Sequence, residues 1–337
     1  MLDKKVIADA IGAWASNDPA WVAAMPKAAL ARRPRAAAAD PDVPDDAPED
    51  TPVPAVAAPT VLVASPRGDV VHVGDVLIRP NGQPYVARCV RGKLSDVEWL
   101  RSLLANDMPI LLYGPPGTGK TALIEVAYEG GAYTVMGSDD TERADFEGSY
   151  VQTADGNSIW VDGPLIHAME EGVPLFVDEI GLISPKVLSL LYAAMDGRQE
   201  IRITANPERG IVKAKPGFMV VAATNPHAPG VRLSEALLSR FVAQAEMNTD
   251  WNVARHLGLD DTVASALENL DRKRLAGEIA GSPQMREALG FIKAAAVFGQ
   301  ELALANLVAA SQENDRDVIA DVLSRATGEK VSPLALD

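Results

Sequence analysis

The feature that narrows this 337-residue chain most is the octapeptide Gly114-Pro115-Pro116-Gly117-Thr118-Gly119-Lys120-Thr121. It stands between the apolar run ILLY and a helical stretch, ALIEVAYE, that Ala122 opens. The pattern is GxxxxGK[ST], in the strand, loop and helix setting that the pattern requires. Glycines let successive backbone N–H groups turn inward around an anion without Cβ clashes, and the helix N-terminus adds its positive end. Lys120 is then placed to reach the β and γ oxygens of a nucleoside triphosphate such as ATP, and Thr121 to ligate Mg2+.

Such a loop needs carboxylates beside it, and Val173-Pro174-Leu175-Phe176-Val177-Asp178-Glu179 supplies them. An apolar strand ending in Asp-Glu delivers both acids to the C-terminal edge of a parallel sheet, where ligands bind in open α/β folds. Asp178 is expected to hold Mg2+ through water, and Glu179 to act as general base on the attacking water. A third apolar strand, FMVVAAT, ends in Asn225, whose amide has the chemistry to orient that water. Arg240, in LLSRF after a helical stretch, receives no role from spacing alone.

Strands apolar along their whole length (ILLYG, PLFVDE, FMVVAAT) alternate with helices from about residue 93 to 248, the mark of a parallel sheet covered on both faces. The expected fold class is therefore an α/β parallel-sheet P-loop core. Residues 249–337 show helical periodicity (ALGFIKAAAVFG, VIADVLSRA) and predict a small helical lid domain. Before the core, residues 61–92 alternate apolar and polar with turns at PRGD and PNGQ, which predicts two or three short antiparallel strands. Residues 1–33 predict a short helical segment with Val6, Ile7, Ile11, Trp14 and Trp21 as its apolar positions. Residues 34–60 are rich in Pro, Ala and Asp with almost no large apolar side chain, which predicts a disordered linker.

Composition enters as a set of exclusions. With one cysteine, Cys89, an intrachain disulfide is impossible. A cytoplasmic address is expected, with Cys89 as a buried inert thiol in an alternating apolar segment. No apolar run approaches the ~20 residues that span a bilayer, so no membrane role is expected. The net charge of −15 works against a broad grip on nucleic acid, which needs clustered Lys and Arg. The four histidines, His72, His167, His227 and His256, lack ligand spacing, so no metal beyond Mg2+ is implied.

The order GPPGTGKT, LFVDE, AATNP and LSEALLSRF resembles the AAA+ superfamily. The segments DFEGSYVQTADGNSIWVDGPLIHAMEEG, DEIGLISPKVLSLLYAAMDGRQEIRI and KPGFMVVAATNP resemble its MoxR branch, including the CbbQ and GvpN types. The resemblance covers roughly residues 85 to 325. It implies that Asn225 is the sensor-1 residue and that Arg240 is an arginine finger reaching the neighbouring subunit's γ-phosphate. It implies that Arg286, in GSPQMREALGF, is sensor 2, although the family's usual Ser-x-Arg spacing would place that arginine where Gln284 stands. It further implies a homo-hexamer acting on a protein partner, often one carrying a von Willebrand A domain. Two hairpins, around ADGN and within QEIRITANPERGIVKAKPG, then face the pore or partner, with Trp160 and Arg202 as contact residues; the alternative for Trp160 is packing under its own hairpin. Gly181 departs from the family, which often has Asn there. Competing functions are a DNA-associated motor and a nucleotide-switched scaffold with little turnover.

Overall fold

The structure, a computed structural model, describes residues 71–73, 76–129 and 131–335. The expected N-terminal helical segment, the linker and the first ten residues of the β segment lie outside the described residues.

Strands β1 (Val71–Val73), β2 (Val76–Ile78) and β3 (Pro84–Val86) form an antiparallel sheet. The β2–β3 turn uses Gly82 at φ 80° and the Asn81 side chain, which accepts the Gln83 N–H at 3.0 Å. A two-stranded hairpin, β4 (Cys89–Val90) and β5 (Leu94–Ser95), leads into helix α1 (Asp96–Leu104). Ser95 and Glu98 close a reciprocal capping box at its start, which satisfies amides the helix cannot pair itself. Cys89 is exposed, not buried as its alternating segment implies. The two-stranded hairpin turns Val90 partly inward and Cys89 outward, and among the described residues nothing buries the Cys89 side.

Asp96, buried at the first turn of α1, accepts the Tyr85 hydroxyl and the Arg88 backbone N–H, the latter at 3.1 Å. Burial pushes both the Tyr85 hydroxyl and the Asp96 carboxyl above their ordinary values. These bonds fasten the small β layer to the main domain.

That domain runs β6 (Ile110–Tyr113), α2 (Lys120–Ala127), β7 (Tyr133–Met136), α3 (Ala144–Glu147), β8 (Gly148–Gln152), β9 (Ser158–Asp162), α4 (Pro164–Glu171) and β10 (Leu175–Asp178). It continues through α5 (Pro185–Met195), β11 (Glu200–Arg202), β12 (Ile211–Lys213), β13 (Val220–Thr224), α6 (Glu235–Leu238) and β14 (Ala243–Glu246). Five strands pair in the order β14-β6-β13-β10-β7, all parallel. Alternate side chains enter opposite cores. Leu111, Val177, Val220 and Ala222 meet α4 and α5 residues on one face, while Ile110, Leu112, Phe176, Val221 and Ala223 meet α1 and α2 on the other. Burial on both faces is why these strands read as unbroken apolar runs.

Because β13 lies between β6 and β10, the loops after all three open on one sheet edge, and β7 is reached by crossing two strands. This is the topological switch at which α/β sheets bind ligands. Helices α7 (Trp251–His256), α8 (Asp261–Leu275), α9 (Met285–Phe298), α10 (Gln300–Ala309) and α11 (Arg316–Thr327) form the C-terminal helical region. Leu267, Leu270, Leu304, Ile319 and Leu323 give it a separate core. Among the described residues, no helix is long and apolar enough to cross a membrane.

Candidate functional site

The loop between β6 and α2 is shaped by close approaches that only glycine allows. A Cβ on Gly114, at φ 145°, would stand 2.3 Å from the Met247 carbonyl oxygen; on Gly117, at φ 76°, it would stand 2.7 Å from Arg286 Cβ. Pro115 and Pro116 stiffen the loop, and the fully buried Thr118 hydroxyl braces it by donating to the Pro115 carbonyl at 3.1 Å. Lys120 begins α2, and its Nζ folds back to donate to the carbonyls of Gly114 (3.0 Å) and Pro115 (2.8 Å). Burial holds the Lys120 ammonium below the ordinary lysine value, against the opposing pull of Glu179 and Asp178.

The carboxylates arrive where the strand pattern places them. Thr121 Oγ1 donates to Asp178 Oδ2 at 3.2 Å, so the loop after β6 and the acid ending β10 touch directly. Glu179 adopts a left-handed conformation, φ 47°, which is uncommon for a residue with a side chain and concentrates at functional sites. Its N–H is held by Asp178 Oδ1 at 3.0 Å, and its Oε2 accepts the Asn225 backbone N–H at 3.3 Å.

Asn225 therefore meets Glu179 through its main chain. Its side-chain Oδ1 accepts the His227 N–H at 3.2 Å, and the residue lines a neighbouring cavity rather than the one around Lys120. Gly181 has no room for the family's usual asparagine side chain: a Cβ there would stand 2.6 Å from Val231 Cγ1 and 2.7 Å from Thr224 Oγ1.

Around Lys120 lies a cavity of about 360 Å³. Gly117, Gly119, Lys120, Thr121, Asp178, Glu179 and Arg286 line its polar end. Pro116 and Ala122 also reach it, and Tyr85, Val86, Val253, Leu257, Met285 and Leu289 make its other, apolar wall. The volume and the mixture of charged and apolar lining side chains suit a small molecule with both a charged and an apolar part. Arg286 thus reaches the site from the helical region. Gln284 is instead a buried structural residue, with Oε1 accepting from Thr249 Oγ1 at 2.8 Å and Nε2 donating to Asp271 at 2.9 Å. Arg240 does not line this cavity; its guanidinium lies 4.4 Å over the Tyr192 ring and donates to the Ala236 carbonyl.

Sequence reasoning missed Tyr85 and the arginines Arg79 and Arg88, all cavity-lining and all from the small β layer. No local pattern marks them, since contacts between residues far apart in sequence, among them Tyr85 with Asp96 and Arg79 with Glu125 at 2.8 Å, carry that layer to the cavity.

The two hairpins meet at one carboxylate. Asp162, at the end of β9, accepts Trp160 Nε1 at 2.6 Å and Arg209 Nε at 3.1 Å, while Arg209 Nη2 also pairs with Glu170 of α4. Burial raises the Asp162 carboxyl, yet the bonds from Arg209 and Trp160 outweigh it and hold the group below the ordinary carboxylate value. Trp160 is half-buried against Tyr150, edge-on at 5.2 Å, and Arg202 is exposed. Among the described residues no group of three or more His, Cys, Asp or Glu could hold a metal ion.

An AAA domain of the dynein-related subfamily matches residues 109–241. Protein NorQ of Paracoccus denitrificans is 35% identical over 199 residues, which span 55% of this chain and 70% of NorQ. Uncharacterized proteins of Staphylococcus saprophyticus and Staphylococcus aureus strain USA300 are 37% and 39% identical over 151 residues, 42% of this chain and 56% of theirs.

Proposed function

This chain belongs to the AAA+ ATPases of the MoxR type, and on that premise we propose that it binds and hydrolyses Mg-ATP, as a homo-hexamer, to remodel or activate a partner protein complex. The observation that carries the reading is the 3.2 Å bond from Thr121 Oγ1 to Asp178 Oδ2, which brings a phosphate loop and a metal-binding carboxylate within reach of one metal–phosphate unit.

Thr121 and Asp178 offer oxygen donors only, the chemistry a hard cation such as Mg2+ takes, and a nucleotide's own phosphates complete so sparse a protein set. Held by Thr121 and Asp178, Mg2+ would supply charge neutralisation to the phosphates. Lys120 exchanges the carbonyls of Gly114 and Pro115 for the β and γ oxygens. Glu179, held in its left-handed turn beside the Asn225 N–H, takes the proton of the attacking water. Asn225 orients that water after its amide leaves the His227 N–H. Arg286 senses the nucleotide from the helical region. Arg240 lies outside its own subunit's cavity, as a finger donated to the next subunit must. The partner is a protein, by family likeness one bearing a von Willebrand A domain.

Glu179→Gln tests the reading. It keeps the shape and hydrogen bonds of the side chain and removes its basicity, so ATP binding should persist while turnover falls by about 10²–10⁴. Hydrolysis at the parent rate would defeat the proposal. Because the variant stalls with nucleotide bound, its co-purifying proteins, identified by mass spectrometry, report the partner.

A further inference from the structure

Arg88 carries no role in the scheme above and precedes the matched AAA domain. Its backbone is nonetheless fixed from both sides by one residue. Arg88 N–H donates to Asp96 Oδ1 at 3.1 Å, and the Asp96 N–H donates to the Arg88 carbonyl at 2.8 Å. From this mount the guanidinium reaches the phosphate loop: Nη2 donates to the Thr118 carbonyl and lies 3.1 Å from where a Cβ on Gly119 would be. Nη1 reaches the Asn248 carbonyl at 3.4 Å, in the short connection between β14 and α7 by which the chain passes into the helical region.

Two observations mark this arginine as incomplete. Its Nε is buried and has no hydrogen-bond acceptor among the described residues, whereas buried donors are almost always paired. No carboxylate among the described residues forms an ion pair with its guanidinium, and Asp96 acts on it only at longer range, so a partly buried cation bonded to neutral carbonyls has lost hydration for little countercharge. Arg88 lines the same cavity as Lys120, Arg286 and Arg79, the last ion-paired with Glu125 at 2.8 Å, so three cations outside that pair face the two acids Asp178 and Glu179. A polyanionic ligand would redress that balance.

Resting on the nucleotide reading above, we propose that Arg88 is a nucleotide-positioning residue. Its Nη groups tie the phosphate loop to the connection into the helical region, and a phosphate of the bound nucleotide supplies the countercharge its guanidinium lacks. Phosphate binding and the setting of the helical region over the cavity are then coupled through one side chain from the small β layer.

The test is equilibrium titration of ATP onto the full-length parent, Arg88→Met, Arg88→Lys and Lys120→Ala, with melting temperatures measured before and after nucleotide. Arg88→Met should weaken ATP by about tenfold or more, the scale of a charge-assisted bond, and should lose most of the ATP-induced rise in melting temperature while the nucleotide-free value stays within a few degrees. Arg88→Lys should recover less than half of the loss, since one ammonium cannot serve two carbonyls and a phosphate in fixed geometry. Unchanged ATP affinity in Arg88→Met overturns the assignment, as does a lowered nucleotide-free melting temperature with an undiminished ATP-induced rise, the signature of a merely structural arginine. If Arg88→Met does not fold, Arg88→Lys decides: affinity equal to the parent overturns the proposal. A parent that binds no ATP, or a Lys120→Ala variant that binds like the parent, sinks the nucleotide reading itself; loss in Lys120→Ala with Arg88→Met intact sinks only the role given to Arg88.

Discussion

The phosphate edge of the sheet and the hairpin end of the molecule are both built on loops, yet they are held by different forces. At the phosphate edge the shape comes from backbone: Gly114 against the Met247 carbonyl, Gly117 against Arg286 Cβ, Lys120 on two loop carbonyls. At the hairpin end the shape comes from side-chain charge, with Arg209 holding Asp162 and Glu170 and thereby joining β9, the β11–β12 loop and α4. Backbone constraints leave a residue-by-residue trace in sequence, because only glycine, proline or a capping residue fits. A charge cluster spread over 47 residues of separation leaves none.

Breaking the phosphate edge should have the largest effect. Lys120→Ala removes the phosphate countercharge, and ATP affinity should fall by about a hundredfold in a titration while amide exchange in β8–β9 and β11–β12 stays at the parent level. Loosened hairpins in that variant would blur the distinction between the two ends.

Arg240→Ala comes next. Its side chain rests on Tyr192 outside the cavity, so binding should survive while hydrolysis drops by about 10³. Mixing it with Lys120→Ala should restore activity, because each supplies what the other lacks at a shared interface; no recovery across mixing ratios would argue that Arg240 acts elsewhere.

A smaller effect is expected from Arg209→Ala. Amide exchange should quicken in both hairpins by about threefold to tenfold, since a half-exposed ion cluster is worth little and local opening is cheap, and unstimulated ATP turnover should stay within about twofold. Faster exchange confined to β11–β12 would show that the hairpins are not joined through Asp162.

Acid should have the least effect. The Asp162 carboxyl is held below its ordinary value of 3.8 in the folded protein. Its contribution is therefore fully present above that value and is lost only as pH falls through the lower, folded one. Corrected for intrinsic rates, hairpin exchange at about pH 5 should match that at about pH 7; a marked rise would point to a different titrating group.

The parallel sheet was legible because ILLY, LFV and VVAA run apolar at consecutive positions, a pattern of strands covered on both faces. Lys120, Thr121, Asp178 and Glu179 were legible for the same reason, since each ends or follows such a strand. Cys89 was misread because apolar alternation in a two-stranded hairpin looks like alternation against a core, and only packing shows which face is covered. Partner contact and packing under its own hairpin are the two expectations for Trp160; within this chain it is half-buried against Tyr150 and bonded to Asp162, and Tyr150 and Ile159 are the apolar side chains most exposed in that hairpin, at 54% and 50%. Of the two positions the family spacing brings into question, Gln284 is bonded to Thr249 and Asp271, whereas Arg286 lines the cavity around Lys120.

By itself the sequence determined the anion-binding loop, the acid pair and the parallel core, because strand burial and loop glycines act over a few neighbouring residues. Only the tertiary structure decided that the small β layer closes the cavity, that Arg88 spans the phosphate loop and the connection to the helical region, and that one carboxylate joins the hairpins. Those contacts depend on strand order and on Tyr85 meeting Asp96 across the fold, where distance along the chain carries no information about distance in space.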